Sequence, residues 1–168
     1  MINIVEADEI AYRCSFACQR QGYIVKTKKG DHDFKNKYTK TDITNFFKKK
    51  GKELERDYTL VPYKMLEDDY IVKHTLDVMV NKLFTVKVGK KKVTDVRLYL
   101  SASNNFRYNV ATIPGPKGLG YKAGRPEKPF WLALCKDRLV QKYNAEVLDG
   151  NEADDALGLY AGEGRIIS

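Results

Sequence analysis

Three short apolar runs in this chain each break off into a polar cluster. INIVE leads to Glu6 and Asp8, VRLYL to Ser101, and AEVLD to Glu152, Asp154 and Asp155. Inside the runs, apolar and polar residues do not alternate, as expected for strands covered on both faces. Segments with helical spacing lie between them. Ile10, Cys14, Ala17 and Cys18 come after the first run, and Glu67 to Phe84 carries Ile71, Leu76, Met79, Val80 and Leu83 on one side. PFWLALCKDRLVQKY precedes the third run, and a last helix leads from the acids into RIIS. Strands alternating with helices predict an α/β fold, a mostly parallel central sheet flanked by helices. In such sheets ligands collect outside the carboxyl ends of the strands, where these clusters fall.

The rest of the chain is less patterned. The first helix is expected to stop near Gly22, and residues 23 to 40 to form an extended, basic connection. Thr41 is expected to cap a helix running to about Arg56, with Gly51 as its weak point. YTLVPYKML is expected to be a linker or an edge strand, since Pro62 lacks an N–H. Residues 114 to 129, PGPKGLGYKAGRPEKP, have the composition of a mobile loop.

The acids raise an electrostatic question. Glu152, Asp154 and Asp155 crowd into four positions of a chain whose net charge is +8, and no Lys or Arg stands between Lys142 and Arg165. Crowded carboxylates raise their own pKa values or find a cation. If no side chain supplies one, Mg2+ or Mn2+ is the natural candidate, because such ions take hard oxygen ligands. Acids in a helix's first turn also complement the helix dipole, so the cluster alone leaves both readings open.

A length of 168 residues with 31% charged and 43% hydrophobic residues fits one globular domain spanning 1–168. No apolar run reaches the roughly 18 residues of a membrane span, and the amino terminus lacks a secretory pattern. Cys14, Cys18 and Cys135 are expected to be reduced core thiols of a cytoplasmic protein. With only His32 and His74, a zinc site is not expected. From Arg20 to Lys52 there are eleven Lys or Arg against three acids, and Lys90 to Lys92 form a second basic run. Clustered lysine points to a polyanionic partner, nucleic acid above all.

EADEIAYR, NFR at 105 to 107, YKAGR at 121 to 125, EKP and EADD at 152 to 155 occur in that order. The ordered set resembles the bacteriophage-type 5'-3' exonuclease and flap endonuclease family. The resemblance covers both ends and the second half of the chain and implies a three-layer PIN-like domain. It implies a hydrolase with a two-metal Mg2+ or Mn2+ site, acting on DNA (or RNA) with free 5' ends or flaps during phage replication in the host bacterial cytoplasm. Glu6, Asp8, Glu152, Asp154 and Asp155 fall on the family's metal-ligand positions. Lys122 and Arg125 fall on its phosphate-holding catalytic motif, and Arg107 and Lys117 would add nucleic-acid contacts.

Three departures accompany the resemblance. Glu6 stands where the family has Asp, and Ser101 stands where many relatives have Asp. The sequence ends at Ser168, before the family's DKD-type motif and helical DNA-binding region, so a second metal site is expected to be incomplete and cleavage weak. A catalytically inactive PIN-like protein that binds nucleic acid or a replication partner is the alternative. A Mg2+-dependent phosphatase would need a nucleophilic Asp where this chain has Glu6.

Overall fold

The computed structural model describes residues 2–34, 38–85, 87–88, 91–93, 95–102, 127–160 and 162–167. The chain forms two compact units, one from Met1–Phe16 with Asp69–Ser168 and one from Ala17–Asp68.

The larger unit is built on four parallel strands, β1 (Ile2–Glu6), β7 (Asp95–Ser101), β8 (Glu146–Leu148) and β9 (Arg165–Ile167), ordered β8-β7-β1-β9. Glu6 stands opposite Tyr99, and Ser101 opposite Leu148. The carboxyl ends of β1, β7 and β8 therefore lie side by side. Three helices lie between these strands in sequence: α1 (Ala7–Ala17), α3 (Asp69–Thr85) and α4 (Leu132–Tyr143). A fourth, α5 (Ala153–Leu159), also lies between them, joining β8 to β9. Helices cover both faces of the sheet. On one face Ile4 and Tyr99 pack with Ala153, Ala156 and Leu157 of α5. On the other, the buried Asn3 donates its side-chain amide to the Leu83 carbonyl of α3. The Cys14 thiol donates to the Val72 carbonyl and ties α1 to α3. The sheet is parallel; its central strands β1 and β7 are buried on both sides, as their mainly apolar runs require, while the edge strands β8 and β9 are largely exposed. This α/β arrangement is compatible with a three-layer fold. All three cysteines are buried and unbridged.

The smaller unit departs from the sequence expectation. Helix α1 stops at Ala17, and the chain then enters a strand, β2 (Gln19–Thr27), rather than further helix and connection. It pairs antiparallel with β3 (Gly30–Phe34) and with β4 (Tyr58–Leu66), in the order β3-β2-β4. Gly22 is a strand residue, and the ring of Tyr63, its cross-strand partner, covers it so closely that a Cβ would collide. Pro62 is tolerated because β4 is an edge strand, as expected. Helix α2 (Lys40–Lys49) begins and ends earlier than expected. Its cap is Thr39 rather than Thr41. The Thr39 hydroxyl accepts from the Asp42 amide at 3.1 Å while Asp42 accepts from the Thr39 amide at 2.9 Å. Gly51, at φ 68°, ends the helix, with Lys52 N–H bonding back to the Phe47 carbonyl and Gly51 N–H to that of Lys48. Val25, Ile43, Phe47 and Tyr58 form this unit's core. In the larger unit, a two-stranded ladder, β5 (Lys87–Val88) with β6 (Lys91–Lys92), precedes β7.

Candidate functional site

The carboxyl ends of the parallel strands bring together residues far apart in sequence. β1 ends in Glu6, and α1 starts at once, so Asp8 lies in its first turn, only 8% exposed. β7 delivers Ser101 beside it. The Ser101 amide donates to Asp8 Oδ2 at 2.9 Å. The Ser101 hydroxyl accepts from the Ala153 amide at 2.9 Å. Ala153 opens α5, so Ser101 links the start of α1 to the start of α5 and satisfies one of the latter's orphan donors. Where a carboxylate was the family expectation, this chain uses a hydroxyl as a structural connector.

The turn after β8 reverses at Gly150, φ 71°, and places Glu152 at the N-cap of α5, 6% exposed. Asp155 turns back and accepts from the Glu152 amide at 2.9 Å. That bond is the helix-start role that acids in a first turn can play. Asp154 is exposed.

The cation missing from the local sequence comes from α4. Lys136 Nζ lies 2.5 Å from Asp8 Oδ1. No periodicity or spacing in the sequence signals this pair. It balances one carboxylate of the group, and the rim remains net acidic. The Glu6 carboxyl shows the consequence: it is pushed above the usual carboxylate range, first by burial and then by the negative charges of Asp8, Asp154, Glu9 and Glu152. Glu6, Asp8, Glu152 and Asp154 thus share one electrostatic neighbourhood.

A divalent cation fits this neighbourhood in charge and donor chemistry, since every donor is a carboxylate oxygen. The geometry is more limited. Among the described residues no three His, Cys, Asp or Glu are grouped so as to hold an ion. Asp8 is engaged by Lys136 and Ser101, and Glu152 and Asp155 by the reciprocal capping box of α5. Mg2+ is often held by one or two carboxylates, with waters and substrate phosphates completing the shell, and that smaller demand suits Glu6 with Asp154 or Glu152. Arg107, Lys117, Lys122 and Arg125 lie outside the described residues.

A second polar cluster carries no signal in the sequence. Asp77 of α3 accepts from Arg138 Nε at 2.8 Å and from its terminal nitrogen at 2.6 Å. Lys142 Nζ and the Tyr143 hydroxyl also donate to it, each at 2.8 Å. The donors hold the Asp77 carboxyl far below the usual range, Arg138 foremost. Burial, then the bond to Asp77, pushes the Tyr143 hydroxyl up to about 12. This cluster fastens α3 to α4, the helix that presents Lys136.

No family model, curated protein or solved structure matches this chain. Among the described residues no helix is long and apolar enough to cross a membrane.

Proposed function

We propose that this chain is a PIN-like, divalent-metal-dependent nuclease that hydrolyses phosphodiester bonds at the acidic rim. The observation that supports this most is the gathering of Glu6, Asp8 and Glu152 at adjoining carboxyl ends of a parallel sheet, an acidic surrounding that pushes the Glu6 carboxyl up. Glu6, Asp154 and Glu152 would hold the cation, which supplies charge stabilisation to the developing phosphoryl oxyanion and lowers the pKa of a water. Asp8 keeps Lys136 at the rim, where its ammonium is available to a substrate phosphate as a point charge. Ser101 fixes the start of α5, and so the position of Glu152, relative to the start of α1. The ordered motifs of the 5'-exonuclease and flap endonuclease family support 5' ends or flaps as substrate. Weak cleavage is expected from a single carboxylate group.

A second reading is a PIN-like protein that binds nucleic acid without cutting. The Lys136–Asp8 pair favours it, because an ammonium already neutralises one rim carboxylate. So does Ser101, whose hydroxyl is committed to Ala153.

The deciding experiment has two readouts. Mn2+ binding is followed by electron paramagnetic resonance, and cleavage of 5'-labelled single-stranded and flap DNA is measured with Mg2+ or Mn2+. The nuclease reading expects saturable Mn2+ binding and slow cleavage, both lost in Asp154→Ala. Mn2+ binding unchanged in both Glu6→Gln and Asp154→Ala would sink it.

A further inference from the structure

We infer that the unit formed by Ala17–Asp68 carries a binding surface for single-stranded nucleic acid, made of the rings of Tyr38 and Phe46 and the lysines at the carboxyl end of α2. This inference rests on different residues from the metal reading and does not depend on it.

The aromatic packing of this unit runs from a buried centre to an open edge. Phe47 stacks on Tyr58 with ring centroids 4.4 Å apart, and both are buried. Phe34 extends the cluster outward, 6.2 Å from Phe47, 6.2 Å from Phe46 and 5.6 Å from Tyr38. These outer contacts are edge-on and leave ring area uncovered: Tyr38 is 51% exposed and Phe46 45%. The rings are thus fixed by their edges and open to solvent, which is the condition for a stacking platform.

Charge supplies the partner's chemistry. This unit holds thirteen Lys or Arg against eight Asp or Glu, so it accounts for +5 of the chain's net charge of +8 in under a third of its length. Lys50 Nζ sits 4.2 Å from the Phe46 ring centroid, and Lys48 and Lys49 are exposed in the same turn. Nearby acids are already engaged. Asp42 closes the α2 capping box, and Glu53 and Asp57 pair with Arg56. Among the described residues none of Lys48, Lys49 and Lys50 takes part in an ion pair. Lys50 covers one face of Phe46; the exposed ring of Tyr38 and the remaining open area of Phe46, beside lysines that form no ion pair among the described residues, match a strand that offers base faces and phosphates together. A duplex hides its base faces in the stack, so rings of this kind select single strands. An acidic protein surface would engage the lysines without requiring the rings.

The test uses the full chain with EDTA present, so that binding is read apart from cleavage. Fluorescence anisotropy monitors a labelled oligo-dT of about 15 nucleotides and a hairpin duplex across a KCl series. The single strand is expected to bind tighter. Phe46→Leu keeps an apolar contact for Phe34 and Phe47 but removes the ring. It is expected to weaken single-strand binding about five- to a hundredfold while leaving the salt slope unchanged. Lys48→Ala with Lys50→Ala is expected to reduce the slope of log K against log salt by about 0.7 for each phosphate no longer neutralised. Thermal melts of each variant show whether the fold is kept, and Tyr38→Leu provides a second ring deletion on an exposed position. Wild-type affinity in both ring variants overturns the inference, as does equal affinity for duplex and single strand. Ring-dependent binding in EDTA, with neither Mn2+ binding nor cleavage in the separate Mg2+ or Mn2+ assay, would remove the nuclease reading and leave this one standing; metal-dependent cleavage in that assay without ring-dependent binding here would do the reverse.

Discussion

Two polar clusters share the same helix, α4, and solve opposite electrostatic problems. At Asp77 one carboxylate receives a guanidinium, an ammonium and a phenol, and its proton affinity collapses. At the strand-end rim several carboxylates share a neighbourhood with one ammonium, and the proton affinity of Glu6 rises. The first cluster satisfies its acid and fastens two helices. The second leaves excess negative charge at a sheet edge where ligands collect. A cluster kept acidic against its own repulsion lowers stability, and that cost is the physical reason to look for a ligand there.

The largest effect is expected where charge is best satisfied. Asp77→Ala leaves Arg138, Lys142 and Tyr143 without their acceptor and should lower unfolding free energy by about 2–3 kcal/mol, less than for a fully buried pair because Asp77 is partly exposed. Chemical denaturation measures this. Because the folded Asp77 pKa is depressed, its contribution is complete above the unfolded value near 3.9. It should fade as pH falls below about 4 in the parent and be absent from the variant's pH profile.

Lys136→Met tests the rim's imbalance. It removes the ammonium paired with Asp8 and should cost about 1–2 kcal/mol in the absence of divalent ions. Millimolar Mg2+ or Mn2+ should restore more stability to this variant than to the parent. Equal shifts in melting temperature for both would mean the rim does not attract cations, and the contrast with Asp77 would lose its functional sense.

Ser101→Ala should cost about 1 kcal/mol, the value of a helix-start acceptor, because the Ala153 amide then has no hydroxyl to donate to. Ser101→Asp offers that amide an acceptor but adds another negative charge, so its stability should improve with added Mg2+ where Ser101→Ala does not. Thermal melts of both variants with and without Mg2+ measure the difference.

The smallest effect has the opposite sign. Glu6 has a folded pKa above its unfolded value, so its ionised form destabilises the fold at neutral pH. Glu6→Gln should raise unfolding free energy by roughly 0.5 kcal/mol at pH 7. That gain should disappear as pH falls through the folded pKa toward the unfolded value of about 4.3, where the parent's carboxyl takes up its proton. A loss of stability at pH 7 would show that Glu6 is already satisfied.

The central strands of the parallel sheet were legible because burial on both faces leaves a sequence signature, a mainly apolar run with polar residues at its end. The rim carboxylates Glu6, Asp8, Glu152 and Asp154 were legible for the same reason: strand ends are marked, and parallel pairing gathers them. In the smaller unit helix α2 and the edge strand β4 were legible, but the strands β2 and β3 were not. Residues 23 to 40 read as an extended, basic connection because β3, GDHDF, has no apolar alternation, and β2 finds its longer partner β4 far along the chain, Gln19 pairing with Leu66. Gly22 signals a helix stop in sequence, yet it is a strand position shielded by Tyr63.

The sequence by itself determined where the acids stand along the chain, which runs become covered strands, and that the chain is basic enough for a polyanion. These rest on local periodicity and composition, which chain separation does not blur. Only the tertiary structure decided which charges meet. Lys136 is 128 positions from Asp8, and Arg138 is 61 from Asp77. Coulomb energy depends on distance through space and on burial, and neither is written in the spacing of residues along the chain.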